Sequence, residues 1–304
     1  MLTTTTHMLR KAQEGRYAVG HFNASNLETA QAIIAAATEL SAPVIVATSV
    51  KAIEFAGINN IAMIIRRLAD EAPVPVALHL DHGPSREWAQ TCLVHGYTSI
   101  MIDSSHEPFG ENLRITKDVV NLCKPAGIAV EAEIGVLKGV EDDVSAKEHI
   151  YTSPDEAARF AEETGCSSLA IAIGTSHGAY KHTGTVHLDL DRLSQIRERV
   201  SIPLVLHGAS GVPKELIEKA IRYGARIDDA SGIPDEDIRE AIRRGICKVN
   251  TDTDLRLAFT AAGRAFYAEK PSDFDPRSFL AVTRDALKAI VKSRIELFGS
   301  AGKA

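Results

Sequence analysis

The stretch Val74-Pro-Val-Ala-Leu-His-Leu-Asp-His-Gly83 is an apolar run that passes directly into histidine, aspartate and glycine. Its Val, Ala and Leu positions suit a strand covered on both faces, and its polar end suits a strand that reaches a functional surface. Seven other runs share this character: Tyr17–Asn23, Val44–Thr48, Ser99–Asp103, Ala129–Ile134, Ser168–Ile173, Leu204–His207 and Cys247–Asn250. Between them lie stretches with helical periodicity, such as Leu27–Leu40 and Ile58–Ala69. Ser25-Asn-Leu-Glu28 and Ser153-Pro-Asp-Glu156 read as capping boxes. Eight β-then-α units, roughly 25 to 45 residues apart, predict an α/β fold: one (β/α)8 TIM barrel over residues 1–304 with a C-terminal helical extension. A doubly wound sheet is the rival, but it leaves open edges and usually has fewer strands. Gly135–Ile150 and Gly224–Gly232 look like insertions. The first is rich in glycine and acid, follows the fifth strand, and predicts a mobile loop at the functional end.

Composition narrows the function. Of 304 residues, 45% are hydrophobic and 24% charged, which is globular and not disordered. The formal charge of −6 argues against a nucleic-acid footprint or a polybasic membrane patch. No apolar run approaches the length of a spanning helix, and the first residues lack a signal-peptide pattern, so a cytoplasmic protein is expected. Cys92, Cys123, Cys166 and Cys247 show no C-x-x-C spacing and read as small core residues.

In a barrel, chemistry sits at the carboxyl ends of the strands. Taken in order, those ends present Asn23, Ser49, His79-Leu-Asp81-His82-Gly83, Asp103, Glu131-Ala-Glu133, Gly174-Thr-Ser-His177-Gly178, His207-Gly-Ala-Ser210-Gly211 and Asn250-Thr-Asp252-Thr-Asp254. His82, His177 and His207 are each followed by glycine at such an end, and three imidazoles make a catalytic metal site with an open position. His79, deeper on the same face of its strand as Asp81, reads as a support behind the ligands or as packing, and His21 takes the same reading. Asp81 stands beside a proposed ligand, as a fourth ligand or a general acid/base; Asp103 and Glu133 would bind a second cation, orient ligands or serve structure. Gly178, Gly208, Ser210, Gly211 and the Asn250–Thr253 turn form a phosphate-cradle pattern, with Lys181, Arg256 and Arg277 as candidate cations.

These residues carry a resemblance. Ala77-Leu-His-Leu-Asp-His-Gly83, Gly174-Thr-Ser-His-Gly-Ala-Tyr-Lys181, Leu206-His-Gly-Ala-Ser-Gly211 and Lys248-Val-Asn-Thr-Asp-Thr-Asp254 resemble the class II fructose-1,6-bisphosphate aldolases, closest to the thermophile and Gram-positive branch, over essentially the whole chain. The resemblance implies a lyase that cleaves fructose 1,6-bisphosphate reversibly through a metal-stabilised enediolate. It implies Zn²⁺, with Co²⁺ as the alternative, on His82, His177 and His207, and a second cation position at Asp103 and Glu133. Asp81 matches the acid/base at the C4 hydroxyl. Glu141 matches the loop base, with Asp142 the other choice. Gly178, Gly208, Ala209, Ser210, Asn250, Thr251, Asp252 and Thr253 match the dihydroxyacetone-phosphate contacts. Asn23 and Ser49 match contacts to the carbonyl or the aldehyde phosphate, and Arg256 with Arg277 of a neighbouring subunit match the C6-phosphate grip, so that a homodimer or homotetramer is implied. The partners implied are sugar phosphates, with no nucleic acid and no membrane. Rivals are the tagatose-1,6-bisphosphate epimer, a Schiff-base aldolase using Lys248 or Lys51, and a non-catalytic sugar-phosphate-binding barrel.

Overall fold

A computed structural model of the chain describes residues 1–136, 138–141, 144–146, 150–177, 188–227 and 231–304, with only the backbone described at 138–141, 144–146 and 177. Among these lie strands β1 (Val19–Asn23), β2 (Val44–Ser49), β3 (Val76–Gly83), β4 (Ser99–Ile102), β5 (Ala129–Ile134), β6 (Lys138–Glu141), β7 (Val144–Ala146), β8 (Ser168–Ile171), β9 (Ser176–His177), β10 (Leu204–Leu206) and β11 (Ile246–Thr251). Strands β1, β2, β3, β4, β5, β8, β10 and β11 pair in parallel and close into a barrel. Each of the eight runs expected as strands supplies one of them.

Alternation along the strands divides the barrel into layers. The outward positions, among them Phe22, Val46, Leu78, Leu80, Ile100, Ala132 and Leu206, join the main apolar core beneath the helices. The inward positions start apolar. Val19, Ile45 and Ala77 cluster with Met8, Leu9 and Ala12 of the helix Thr5–Gly15, which plugs the amino-terminal end of the barrel. One layer higher the interior carries buried His21, His79, Glu131 and Lys248, where barrels usually hold branched aliphatic residues. The next layer carries Asn23, Ser49, Asp81, Glu133 and His207. The polar set thus occupies the carboxyl-terminal half of the interior.

Two local expectations are corrected. The helix Leu27–Glu39 is capped one residue later than Ser25: the Asn26 side chain accepts from the Thr29 amide, and the Thr29 hydroxyl accepts from the Asn26 amide. The 135–150 insertion is not loop throughout, because β6 and β7 form a hairpin in it. β6 runs parallel to β9, with Gly139 opposite His177. Ser153 caps the helix Pro154–Thr164 as expected, accepting from the Glu156 amide with proline in the first turn. The C-terminal extension consists of the helices Thr253–Glu269 and Pro276–Leu297, the latter packed against Leu27–Glu39 through buried Leu287, Val291 and Ile295. No helix among the described residues is long and apolar enough to cross a membrane.

Candidate active site

His82 and His207 meet at the carboxyl end of the barrel with ring centroids 4.8 Å apart. Ligand atoms of His82, Glu133 and His207 lie within 4.8 Å of one another. Each imidazole has one nitrogen committed to a carboxylate behind it. His82 Nδ1 donates to Asp103 Oδ2 at 2.6 Å, and His207 Nε2 donates to Glu131 Oε1 at 3.0 Å. That arrangement fixes the tautomers so that the other nitrogens face the cluster, the pattern that supports histidine ligands of a metal. Glu133 Oε2 is buried, makes no hydrogen bond, and lies 3.2 Å from His207 Nδ1. Burial disfavours protonation of His82, but the hydrogen bond to Asp103 and the charges of Asp81, Asp103 and Glu133 push its pKa up to about 10. A field that strong toward positive charge, with two imidazoles and an unbonded carboxylate oxygen, fits a divalent cation. His82 itself sits at φ +45°, a left-handed conformation uncommon outside glycine and frequent at functional sites.

Asp81 lies one position before His82 and points inward. Asn23 Nδ2 donates to Asp81 Oδ2 at 2.8 Å, while Oδ1 is buried without a hydrogen bond. Burial opposes ionisation, but His21, His82 and His207 outweigh it and hold the carboxyl well below the usual range. Asp81 is therefore a carboxylate with one oxygen anchored and one unbonded. Asn250 Oδ1 and Thr251 Oγ1 on β11 are also buried without hydrogen bonds. Buried polar atoms are rarely left so, and several at one barrel end mark where a ligand makes its contacts.

Beside this cluster a cavity of about 490 Å³ is lined by Asn23, Ser49, Lys51, Phe55, Asp252 and Arg256, among others. Arg256 pairs with Asp252 at 2.7 Å. Arg277, expected in that grip from a neighbouring copy, does not line the cavity of its own chain: its side chain is 90% exposed and pairs with Asp275. Lys248, a candidate Schiff-base nucleophile, is buried below the cluster and donates to Glu131 at 2.7 Å. There it neutralises the carboxylate that supports His207, a role that requires the protonated amine. Asp103 accepts from Ser105 as well as from His82, so both of its oxygens are engaged within the chain.

Gly208, Ala209 and Ser210 follow β10 beside the cluster. Gly208 has φ +60°, and a Cβ there would lie 2.5 Å from the Ser176 carbonyl oxygen, so only glycine lets this turn approach the strand that carries His177. The turn is held from behind. Buried Asp254 accepts from the Gly211 amide at 3.2 Å and the Val212 amide at 2.7 Å, and Arg294 Nε lies 3.0 Å from its Oδ2. Arg294 also reaches Asp235 at 2.7 Å. Arg294→Ala strands the Asp254 carboxylate without its countercharge, and the expected cost is about 3–5 kcal/mol of folding stability. Urea unfolding measures it; a loss under about 0.5 kcal/mol, the level of an ordinary surface substitution, would contradict this account.

Gly178, Lys181 and Asp142 lie outside the described residues, while Glu141 and His177 are placed by backbone only, on β6 and β9. Three contributors escaped the reading of the sequence as site residues. Glu131 was within reach of it, since it shares inward parity with Glu133. Asp254 stood in a quoted motif without a role. Arg294 gave no signal, because its contact depends on how the last helix docks.

The family model described as "Fructose-bisphosphate aldolase class-II" matches residues 3–227 and 228–303. A fructose-bisphosphate aldolase of Thermus caldophilus is 51% identical over the whole of both chains. One from Helicobacter pylori is 42% identical over the same extent. Among solved structures, the YdjI aldolase of Escherichia coli K12 superposes with a TM-score of 0.81 at 34% identity over all of both chains. A putative fructose-1,6-bisphosphate aldolase of Coccidioides immitis gives 0.84 at 31%, covering 98% of this chain and 96% of that one.

Proposed function

From the premise that this chain belongs to the class II fructose-bisphosphate aldolase family, which is metal-dependent, we propose how its residues carry out the reversible cleavage of D-fructose 1,6-bisphosphate to dihydroxyacetone phosphate and D-glyceraldehyde 3-phosphate. The observation that carries the assignment of roles is the juxtaposition of the His82–Glu133–His207 cluster with the ionised, half-anchored Asp81.

His82, His207 and, as the family resemblance implies, His177 would hold the cation, with Asp103 and Glu131 orienting the first two; Zn²⁺ suits three imidazoles, and Co²⁺ the same set. The bound cation supplies Lewis-acid stabilisation of negative charge on the substrate oxygens near C2. In cleavage, the unbonded oxygen of Asp81 accepts the C4 hydroxyl proton as the C3–C4 bond breaks, and the electron pair of that bond passes to C3. Glu141, on the hairpin strand beside His177, then delivers a proton to C3; condensation runs these transfers in reverse. Asp142 is the neighbouring candidate for that base. The hairpin closes over bound substrate in this reading. Gly178, Gly208 to Ser210 and Asn250 to Thr253 hold the dihydroxyacetone-phosphate end, with Lys181 as a cationic partner, while Ser49, Asn23 and Arg256 hold the aldehyde end within the 490 Å³ cavity. Arg277 does not line that cavity within one chain, so its part in the grip requires a second copy of the chain in a homodimer or homotetramer.

The test is a coupled retro-aldol assay on fructose and tagatose 1,6-bisphosphate, with and without chelator. Cleavage of the fructose epimer that stops on chelation and returns with Zn²⁺ or Co²⁺ is expected; turnover insensitive to chelation, or borohydride trapping of a lysine adduct, would overturn the mechanism. Choice between the epimers must come from a group near C4, because both present the same phosphates. Asp252 is that group in this reading. Its replacement by alanine should lower cleavage of fructose bisphosphate and narrow its advantage over tagatose bisphosphate by about tenfold or more, the scale of one charge-assisted hydrogen bond to substrate. An unchanged ratio would remove Asp252 from the specificity account.

A further inference from the structure

We propose that His21 is a positioning residue for Asp81, acting through Asn23; this rests on the reading of Asp81 as the acid/base. His21 is fully buried inside the barrel on β1, one layer below the reacting end. A carboxylate only accepts hydrogen bonds, so the Asn23 group 2.8 Å from Asp81 Oδ2 must be its NH2. The Asn23 carbonyl oxygen therefore turns toward His21, whose Nε2 lies 3.2 Å away, and that nitrogen must carry the ring proton. The same Nε2 lies 3.6 Å from Asp81 Oδ2. His21 Nδ1 is left as a buried acceptor without a hydrogen bond. Burial and the nearby Lys248 hold the imidazole below its ordinary pKa, in keeping with a neutral ring that has one defined tautomer.

The chain His21 to Asn23 to Asp81 fixes which oxygen of Asp81 is anchored and which faces substrate. Without the imidazole, the Asn23 amide is free to rotate, and Asp81 loses its fixed rotamer. Ligand atoms of His21, His79 and Asp81 also lie within 4.8 Å of one another. The charge of Lys248 bears on both imidazoles, however, and opposes a cation at that place. A hydrogen-bonding role is what remains for His21.

The test compares His21→Phe, Asp81→Ala and the double variant as metal-loaded enzymes. In His21→Phe, kcat for cleavage should fall about 10- to 100-fold, the cost of a misplaced reacting group, with KM and metal content near those of the wild type. Exchange of the C3 proton of dihydroxyacetone phosphate, which does not need Asp81, should change less than about twofold. His21→Phe should add nothing to Asp81→Ala, since the two act as one unit. His21→Gln, which keeps an N–H, should recover part of the rate. A parallel loss of exchange and cleavage, or additive losses in the double variant, would show a merely structural role and overturn the proposal. Should the phenylalanine variant not fold, ¹H–¹⁵N NMR of the wild-type holoenzyme still decides: the Nε2–H tautomer supports the proposal and Nδ1–H refutes it. Full cleavage by Asp81→Ala would instead sink the acid/base reading itself, whereas a dead Asp81→Ala beside an unimpaired His21→Phe would sink only the present proposal.

Discussion

His82→Ala and His207→Ala are each expected to give a folded barrel that no longer holds a divalent cation and has lost cleavage to the limit of detection. The two rings meet edge to face with centroids 4.8 Å apart and converge with Glu133, so neither can be removed without halving the described imidazole set. Each deletion also takes a partner from a carboxylate: Asp103 loses its 2.6 Å partner in the first case, and Glu131 loses one of three partners in the second. Asp103 keeps Ser105 and Glu131 keeps Lys248, which is why folding should survive while the site does not. Elemental analysis after dialysis, together with circular dichroism and the retro-aldol assay, checks all three consequences. Stoichiometric metal with near-normal turnover in either variant would reject the assignment. His177→Ala should behave in the same way, as the third imidazole of the proposed site.

Much of this site is legible in the sequence, and the reason is the geometry of a parallel barrel. A strand end places its polar residue at one face of the molecule whatever the helices do, so Asn23, Ser49, Asp81, Asp103, Glu133 and His207 could be assigned to one surface from sequence position alone. Period two then sorts inward from outward: Leu78 and Leu80 go to the core while His79 and Asp81 go inside. What the pattern could not supply was partnership. The sequence leaves His21 between support and packing because a strand histidine gives no hint of what lies across the barrel, and its tie to Asn23 and Asp81 arises from the pairing of β1 with β2 and of β2 with β3. Lys248 enters the sequence reading only as a rival nucleophile for the same reason. Its partner Glu131 is far away in sequence and meets it only across the closed interior. Arg294 shows the limit most plainly, since a basic residue in a long terminal helix reads as solvated until docking buries it against Asp254.

Asp81→Ala should separate proton transfer from metal binding. The residue touches the cluster through charge and adjacency, not as one of the three converging ligand atoms of His82, Glu133 and His207, so metal content is expected to stay near that of the wild type. Cleavage, however, requires a base at the C4 hydroxyl. Asp81 supplies an ionised carboxylate whose second oxygen is buried and unbonded, and its loss should lower kcat by about two to four orders of magnitude. Water cannot readily replace it, because a water in that space lacks the fixed orientation given by the Asn23 amide at 2.8 Å. Exchange of the C3 proton takes place on dihydroxyacetone phosphate, which has no C4 hydroxyl, so that step should survive better than cleavage. Asp81→Asn sharpens the comparison, since it preserves shape while removing the base; it should track the alanine variant in cleavage. If exchange, cleavage and metal content collapse together, Asp81 is a ligand. If cleavage persists in both variants, the C4 proton leaves by another group, and the chain from His21 through Asn23 serves the barrel and not the reaction.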